Sequence, residues 1–147
     1  MPNVDLAIAH DESVAAMRSA MQDAANDWKG TPYLLGGNSK EGIDCSHFVY
    51  QVLNAARKKT AAAGLAPQLI DYRSTGTIEA SGLFFPVPIP EPGDLVLWDG
   101  HVGIITDPQR GTFIGAQTST GVAQASYTGG YWATRSGKRF LRFVHFM

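Results

Sequence analysis

An α+β fold, helices first and a strand meander second, is what this 147-residue chain predicts. Three observations carry the prediction. Apolar residues recur at helical spacing in two segments before Lys59, short β-rich runs follow one another after Pro92, and turn-forming pairs separate those runs.

Val14, Met17, Met21, Ala25 and Trp28 fall on one face of a first helix, with Ser13 or Asp11 as its cap and Gly30 with Pro32 as its end. Phe48, Val49, Val52, Leu53 and Ala56 form a second helical face, and the helix is expected from Cys45 to about Lys59 with Asp44 at the capping position. Between Gly64 and Pro92, Pro67, Pro86, Pro88 and Pro90 interrupt any period, so this stretch reads as an ordered connection with one short helix around Thr77–Ala80. Strands are expected at 94–98, 101–105 and 111–116, with turns at Asp99-Gly100 and Asp107-Pro108. The run 140–146 alternates as a closing strand.

Hydrophobic residues make up 44% and charged residues 17%, the balance of a globular domain and not of a disordered chain. The length suits one domain covering residues 1–147. Twelve basic against 13 acidic residues leave a net charge of -1, so no basic field attracts nucleic acid or an anionic membrane. No run approaches the ~18 apolar residues needed to span a bilayer, so membrane insertion is not expected. Met1 to Asp5 lack the basic and apolar regions of a signal peptide, which predicts synthesis in the cytoplasm.

The single cysteine excludes an internal disulfide. Cys45 opens the second predicted helix, where unpaired N–H groups and the helix dipole favour negative charge. A thiol there ionises more readily than a free one, as a nucleophile must; the competing reading is a buried core cysteine. His101, at a predicted strand start after a tight turn, is the candidate imidazole partner, and spacing alone does not prove the pairing. His10 and His145 show no partner in sequence. One Cys and scattered His do not make a zinc site, so no metal is assigned.

The segment Gly30-Thr31-Pro32-Tyr33-Leu34-Leu35-Gly36-Gly37, then Gly42-Ile43-Asp44-Cys45-Ser46, resembles the nucleophile region of NlpC/P60 cysteine peptidases. Pro92-Gly93-Asp94-Leu95-Val96-Leu97-Trp98 followed by His101-Val102-Gly103-Ile104 resembles the family's second signature. Phe113-Ile114, Ser119–Val122 and Tyr131-Trp132 look like its usual ending, so the resemblance covers about Lys29 to the C-terminus. It implies a papain-like α+β fold, with N-terminal helices packed on a small antiparallel sheet. It also implies amide hydrolysis in peptidoglycan stem peptides, commonly between D-glutamate and the diamino acid, through a Cys45–His101 dyad and without a cofactor. Tyr33 matches the tyrosine lining the family's site. Asp44 and Ser46 match the flanks of the cysteine, with capping and site-shaping, substrate-side roles.

Two positions depart from the family pattern. The position after Phe113-Ile114, where the family has His, Asn or Gln, is Gly115, which cannot orient an imidazole. Gln117, on the same strand face, is the nominated third polar group; a solvated loop Gln is the alternative. His47 stands where the family has Gly after Asp-Cys-Ser, and reads as a surface residue. The resulting expectation is a wall-directed cysteine amidase or endopeptidase. Its rivals are an acyltransferase or amidase of the same fold acting off the wall, and a catalytically inactive binding module, which Gly115 favours. The chain also resembles the small amidases injected by type VI secretion systems. That implies delivery to the periplasm or wall of a target bacterium and an immunity protein as partner, with a phage lysin as the alternative.

Overall fold

The computed structural model describes residues 4–62 and 64–147. Helix α1 (Val4–Asn26) is followed by a short ribbon of β1 (Asn38–Ser39) and β2 (Gly42–Ile43), then helix α2 (Cys45–Thr60). A long connection leads to β3 (Phe84–Val87), β4 (Leu95–Trp98), β5 (His101–Asp107), β6 (Thr112–Gln117) and β7 (Gly121–Ser126). Helix α3 (Gly130–Thr134), strand β8 (Arg139–Phe143) and a 3₁₀ turn (Val144–Phe146) complete the chain. The six-stranded sheet runs β3-β8-β4-β5-β6-β7, and every pairing in it is antiparallel. This is the α+β architecture that the helical and strand patterns predict.

The run Leu95-Val96-Leu97-Trp98 shows how the layers form. Alternate side chains on a strand face opposite ways. Leu95 and Leu97 join Met17, Met21, Phe48, Val52 and Leu53 in the core between the helices and the sheet. Val96 and Trp98 join Ile105, Phe113 and Tyr127 in a second cluster. Both faces are covered, which is why an uninterrupted apolar run serves here instead of an alternating one. Helix α2 lies against α1 and also against β5 and β6, and so fixes its first turn relative to the strands.

Asp94, in the Pro-Gly-Asp turn before β4, is fully buried and accepts hydrogen bonds from Arg18 Nη1 (3.1 Å), Arg142 Nη2 (2.8 Å) and the Glu91 N–H (2.8 Å). It ties α1 to β4 and β8. A buried carboxylate held by two guanidinium groups and a backbone donor is a structural joint, and removing it would leave two cations with less than full compensation.

Four expectations need correction. Helix α1 begins well before Asp11. Its first turns carry exposed Leu6 (68%) and Ile8 (50%), so no buried face marks them in the sequence. No helix forms at 77–80: separate turns close with Thr77 N–H to Ser74 O and Ser81 N–H to Ile78 O. Strand β3 was hidden by Pro86, which an edge strand tolerates because its missing donor can face away from the ladder. The closing strand ends at Phe143, and 144–146 turn into 3₁₀. Strand β7 and helix α3 are further elements that the pattern did not assign.

Candidate active site

Cys45 is the first residue of α2 and is 7% exposed. Asp44 makes that start. Its Oδ1 accepts from the His47 N–H at 2.9 Å, the usual N-cap bond, and its Oδ2 accepts from the Gly36 N–H at 2.9 Å. The second bond draws the Gly36-Gly37 turn onto the helix start. A Cβ on Gly37 would press on the Gly42 backbone, so the chain passes there only as glycine. The same folding delivers Tyr33, which bridges to Ile43 in parallel register. Burial raises the Tyr33 phenol above its ordinary pKa, with Cys45 and Asp44 adding to the rise, so it remains a protonated donor. For Asp44, burial alone would raise the carboxyl; the hydrogen bonds from His47 and Gly36 outweigh it and hold the pKa below its ordinary value.

His47 is half-buried, not a free surface residue. Its Nδ1 lies 2.8 Å from Asp44 Oδ1, and its ring stacks on Tyr72 with centroids 3.9 Å apart and planes 9° apart. Ser46 Oγ hydrogen-bonds Tyr72 OH at 2.7 Å. Next along, Thr75 Oγ1 stands 3.4 Å from Cys45 Sγ. The irregular segment 70–75 therefore lies across the first turn of α2. Further down the helix, Asn54 holds Ile70 by both backbone groups, at 3.0 and 2.8 Å. Sequence reasoning missed Tyr72 and Thr75, because an aperiodic stretch carries no signal of what it touches.

His101 begins β5 and is 6% exposed. Trp132 of α3 stacks on it at 4.4 Å and 22°, with Trp98 at 5.8 Å and Phe113 at 6.2 Å. Trp132 is fixed in turn by the hydrogen bond from Trp98 Nε1 to its carbonyl, 3.1 Å, and by Arg135 above its ring. Desolvation in this aromatic box, then the positive charge of Arg135, lower the imidazole pKa from 6.5 to about 4. The Gln117 carboxamide pulls the other way, favouring the charged form. His101 is neutral at neutral pH.

Gln117 ends β6 and is 4% exposed, which excludes the solvated-loop alternative. Ile104 pairs with Ile114, and carrying that antiparallel register to the strand ends sets His101 across from Gln117. Gln117 Nε2 donates to the Ala123 carbonyl at 3.0 Å, which aims Oε1 back over Gly115. A Cβ at position 115 would come within 2.5 Å of that oxygen. The missing side chain at Gly115 is thus the space into which Gln117 folds. Among the described residues, His101 Nε2 and Gln117 Oε1 are the buried side-chain atoms left without an aligned hydrogen bond. One can donate and the other accept, and the Gln117 carboxamide already favours the charged form of the imidazole.

The arrangement sets a helix-start thiol and a buried neutral imidazole on packed elements, with a carboxamide behind the imidazole. Among the described residues the sulfur hydrogen-bonds Thr75 and not His101. His145, without a partner in sequence, meets Arg57 at 2.8 Å, remote from this site. Among the described residues no cluster of His, Cys, Asp or Glu could hold a metal ion, and no helix is long and apolar enough to cross a membrane.

Comparison with known proteins gives a consistent result. The NlpC/P60 family profile matches residues 30–139. Murein DD-endopeptidase MepS/Murein LD-carboxypeptidase of Escherichia coli K12 is 33% identical over 125 residues, 81% of this chain and 60% of that protein. This chain therefore spans about three-fifths of that relative's length. The probable endopeptidase NlpC of the same organism is 32% identical over 122 residues, covering 78% of this chain and 71% of the relative. The NlpC/P60 domain of the peptidoglycan hydrolase SagA superposes with a TM-score of 0.58 at 26% identity, over 84% of this chain and 96% of that one. The peptidoglycan hydrolase RipB of Mycobacterium tuberculosis has a TM-score of 0.64 at 19% identity, over 89% of this chain and 66% of that one, and speaks for the fold.

Proposed function

We infer that this chain, which belongs to the NlpC/P60 family, hydrolyses amide bonds in the stem peptides of peptidoglycan. Its homology to peptidases of that family makes it a hydrolase acting on peptide or amide bonds. The observation that carries the reading is the pairing of elements: the chain's one cysteine opens a helix packed against the strand that a neutral, buried His101 begins.

In the proposed cycle Cys45 turns toward His101, which takes the thiol proton as the sulfur attacks the amide carbonyl. The N–H groups of Cys45 and Ser46 lie in the first helical turn, without an acceptor inside the helix, and stabilise the oxyanion. As the carbon–nitrogen bond breaks, His101 returns the proton to the leaving amine and a thioester remains. His101 then deprotonates a water that attacks the thioester, releasing the acid and regenerating the thiol. Gln117 orients the imidazole through Nε2. Tyr33, Asp44 and Ser46 border the site, Tyr33 as a donor toward substrate and Asp44 and Ser46 as its frame. None of these steps requires a metal or cofactor.

The test is mass spectrometry of purified muropeptides digested with the protein. Cleavage between D-glutamate and the diamino acid yields disaccharide-dipeptides, whereas DD-cleavage turns cross-linked dimers into monomers. Either outcome supports wall hydrolysis and names the bond. Intact muropeptides under conditions where the protein is folded would contradict it. The proposal includes action in the periplasm or wall of a target bacterium, countered by an immunity protein. Production directed to the E. coli periplasm should lyse cells in a Cys45-dependent way, and production in the cytoplasm should not.

A further inference from the structure

We propose that Thr75 is a further catalytic residue, its hydroxyl donating to the Cys45 sulfur as the thiolate forms, and that His47 and Tyr72 position the segment that delivers it. The inference rests on the hydrolytic reading of Cys45. Three facts lead to it. Thr75 Oγ1 is 3.4 Å from Cys45 Sγ and, among the described residues, is the sulfur's hydrogen-bond partner. His101 is neutral at neutral pH, so no imidazolium is ready to stabilise a thiolate in the resting protein. Until His101 takes the thiol proton, negative charge building on the sulfur meets the N–H groups of the first helical turn and the Thr75 hydroxyl as donors.

The segment is mounted for this contact and does not merely pass by. Asn54 clamps Ile70 through both of its backbone groups. Two residues on, Tyr72 is held from two directions, by Ser46 Oγ at 2.7 Å and by the His47 ring stacked at 3.9 Å, with Tyr50 edge-on at 5.9 Å. Ser46 and His47 directly follow the nucleophile on α2. The residues after the thiol therefore grip the segment that carries the Thr75 hydroxyl back to it. His47, the residue at odds with the family pattern, has a role here: it is anchored by Asp44 and forms the outer half of the clip on Tyr72.

Thr75→Val keeps the volume and removes the hydroxyl, so it leaves the sulfur covered while deleting the donor. The probes are iodoacetamide, with Cys45 as the chain's one cysteine to report by mass, and purified muropeptides. Thr75→Val should lower kcat at least about tenfold, the size expected for a hydrogen bond to a charged atom, with KM within about twofold. Its alkylation rate at pH 7 should fall about threefold, because a less stabilised thiolate is less populated though somewhat more nucleophilic. Thr75→Ser should retain at least about half of both rates. His47→Ala should lower kcat about threefold in the native chain and have no further effect on Thr75→Val, the non-additivity of residues acting through one contact.

Wild-type alkylation and turnover by Thr75→Val would overturn the proposal, as would a Thr75→Ser variant as slow as the valine one. If the native protein leaves muropeptides intact, the wall reading fails while the alkylation comparison still decides the role of Thr75.

Discussion

The two walls of the site are built by different physics. On the helix wall hydrogen bonds frame the start of α2: Asp44 to His47 and Gly36, Ser46 to Tyr72, Thr75 to the sulfur. On the sheet wall, His101 sits among Trp98, Phe113 and Trp132, with Gln117 as its polar neighbour. In the proposed reaction the first wall supplies donors for the charge that appears. The second withholds solvent, so that the imidazole rests neutral and able to accept a proton. A base must be deprotonated before it acts, and an aromatic box achieves this without a nearby carboxylate, which would push the pKa up.

The largest effect expected is from deleting either reacting group. Cys45→Ala and His101→Ala should each reduce muropeptide cleavage by more than about 10³-fold while thermal melting stays cooperative, since each acts in every step of the proposed cycle. Retained turnover in folded Cys45→Ala would break the contrast at its root.

The buried neutral imidazole has a cost that can be measured in stability. Between pH 6.5 and about 4 the unfolded chain binds a proton at His101 that the folded chain refuses. The stabilising contribution is thus complete above pH 6.5 and is lost as pH falls through that window, on the order of 3 kcal/mol in all. Urea denaturation at pH 7.5 and 4.5 should show this loss in the native protein and much less of it in His101→Gln.

A smaller effect sharpens the role of the carboxamide. Gln117→Ala should lower kcat about tenfold with KM nearly unchanged. Gly115→Ala should behave alike, because its methyl meets Oε1 at the flexible end of Gln117 and displaces it without disturbing the backbone. Should Gly115→Ala match the native rate, Gln117 is not the orienting group. The inactive-module reading drew its support from the bare Gly115, and this pair of variants addresses it directly.

The smallest expected effects lie in the pH profile of kcat/KM, and they differ in sign. Arg135 lowers the His101 pKa, so Arg135→Gln should move the acidic limb up by less than about one unit. Gln117 raises it, so Gln117→Ala should move the limb down. Limbs moving in the same direction would contradict the electrostatic account of the sheet wall.

What the sequence made legible follows the same division. The helix face of Phe48, Val49, Val52 and Leu53 and the strands of β4 to β6 are local patterns, so periodicity and turn residues were enough to place Cys45 and His101 at the starts of their elements. Gln117 was reachable because strand alternation puts it on the face of Gly115. The polar clip was not, because Tyr72 lies in a segment with neither helical nor strand period, and its stacking on His47 is purely tertiary. Tyr131-Trp132 after Gly129-Gly130 was a visible aromatic pair, yet nothing local says that Trp132 covers an imidazole. Pro86 concealed β3, since a proline reads as a breaker until the strand is known to be an edge.

The central claim is that His101 rests neutral in an aromatic box facing a polar nucleophile wall. It is tested most directly by a ¹⁵N NMR titration of the chain's four imidazoles, with His101 assigned from the signal missing in His101→Gln. The account predicts that His101 stays neutral through pH 6.5 and takes up its proton at about 4. Protonation near 6.5, the value of an unburied imidazole, would contradict it.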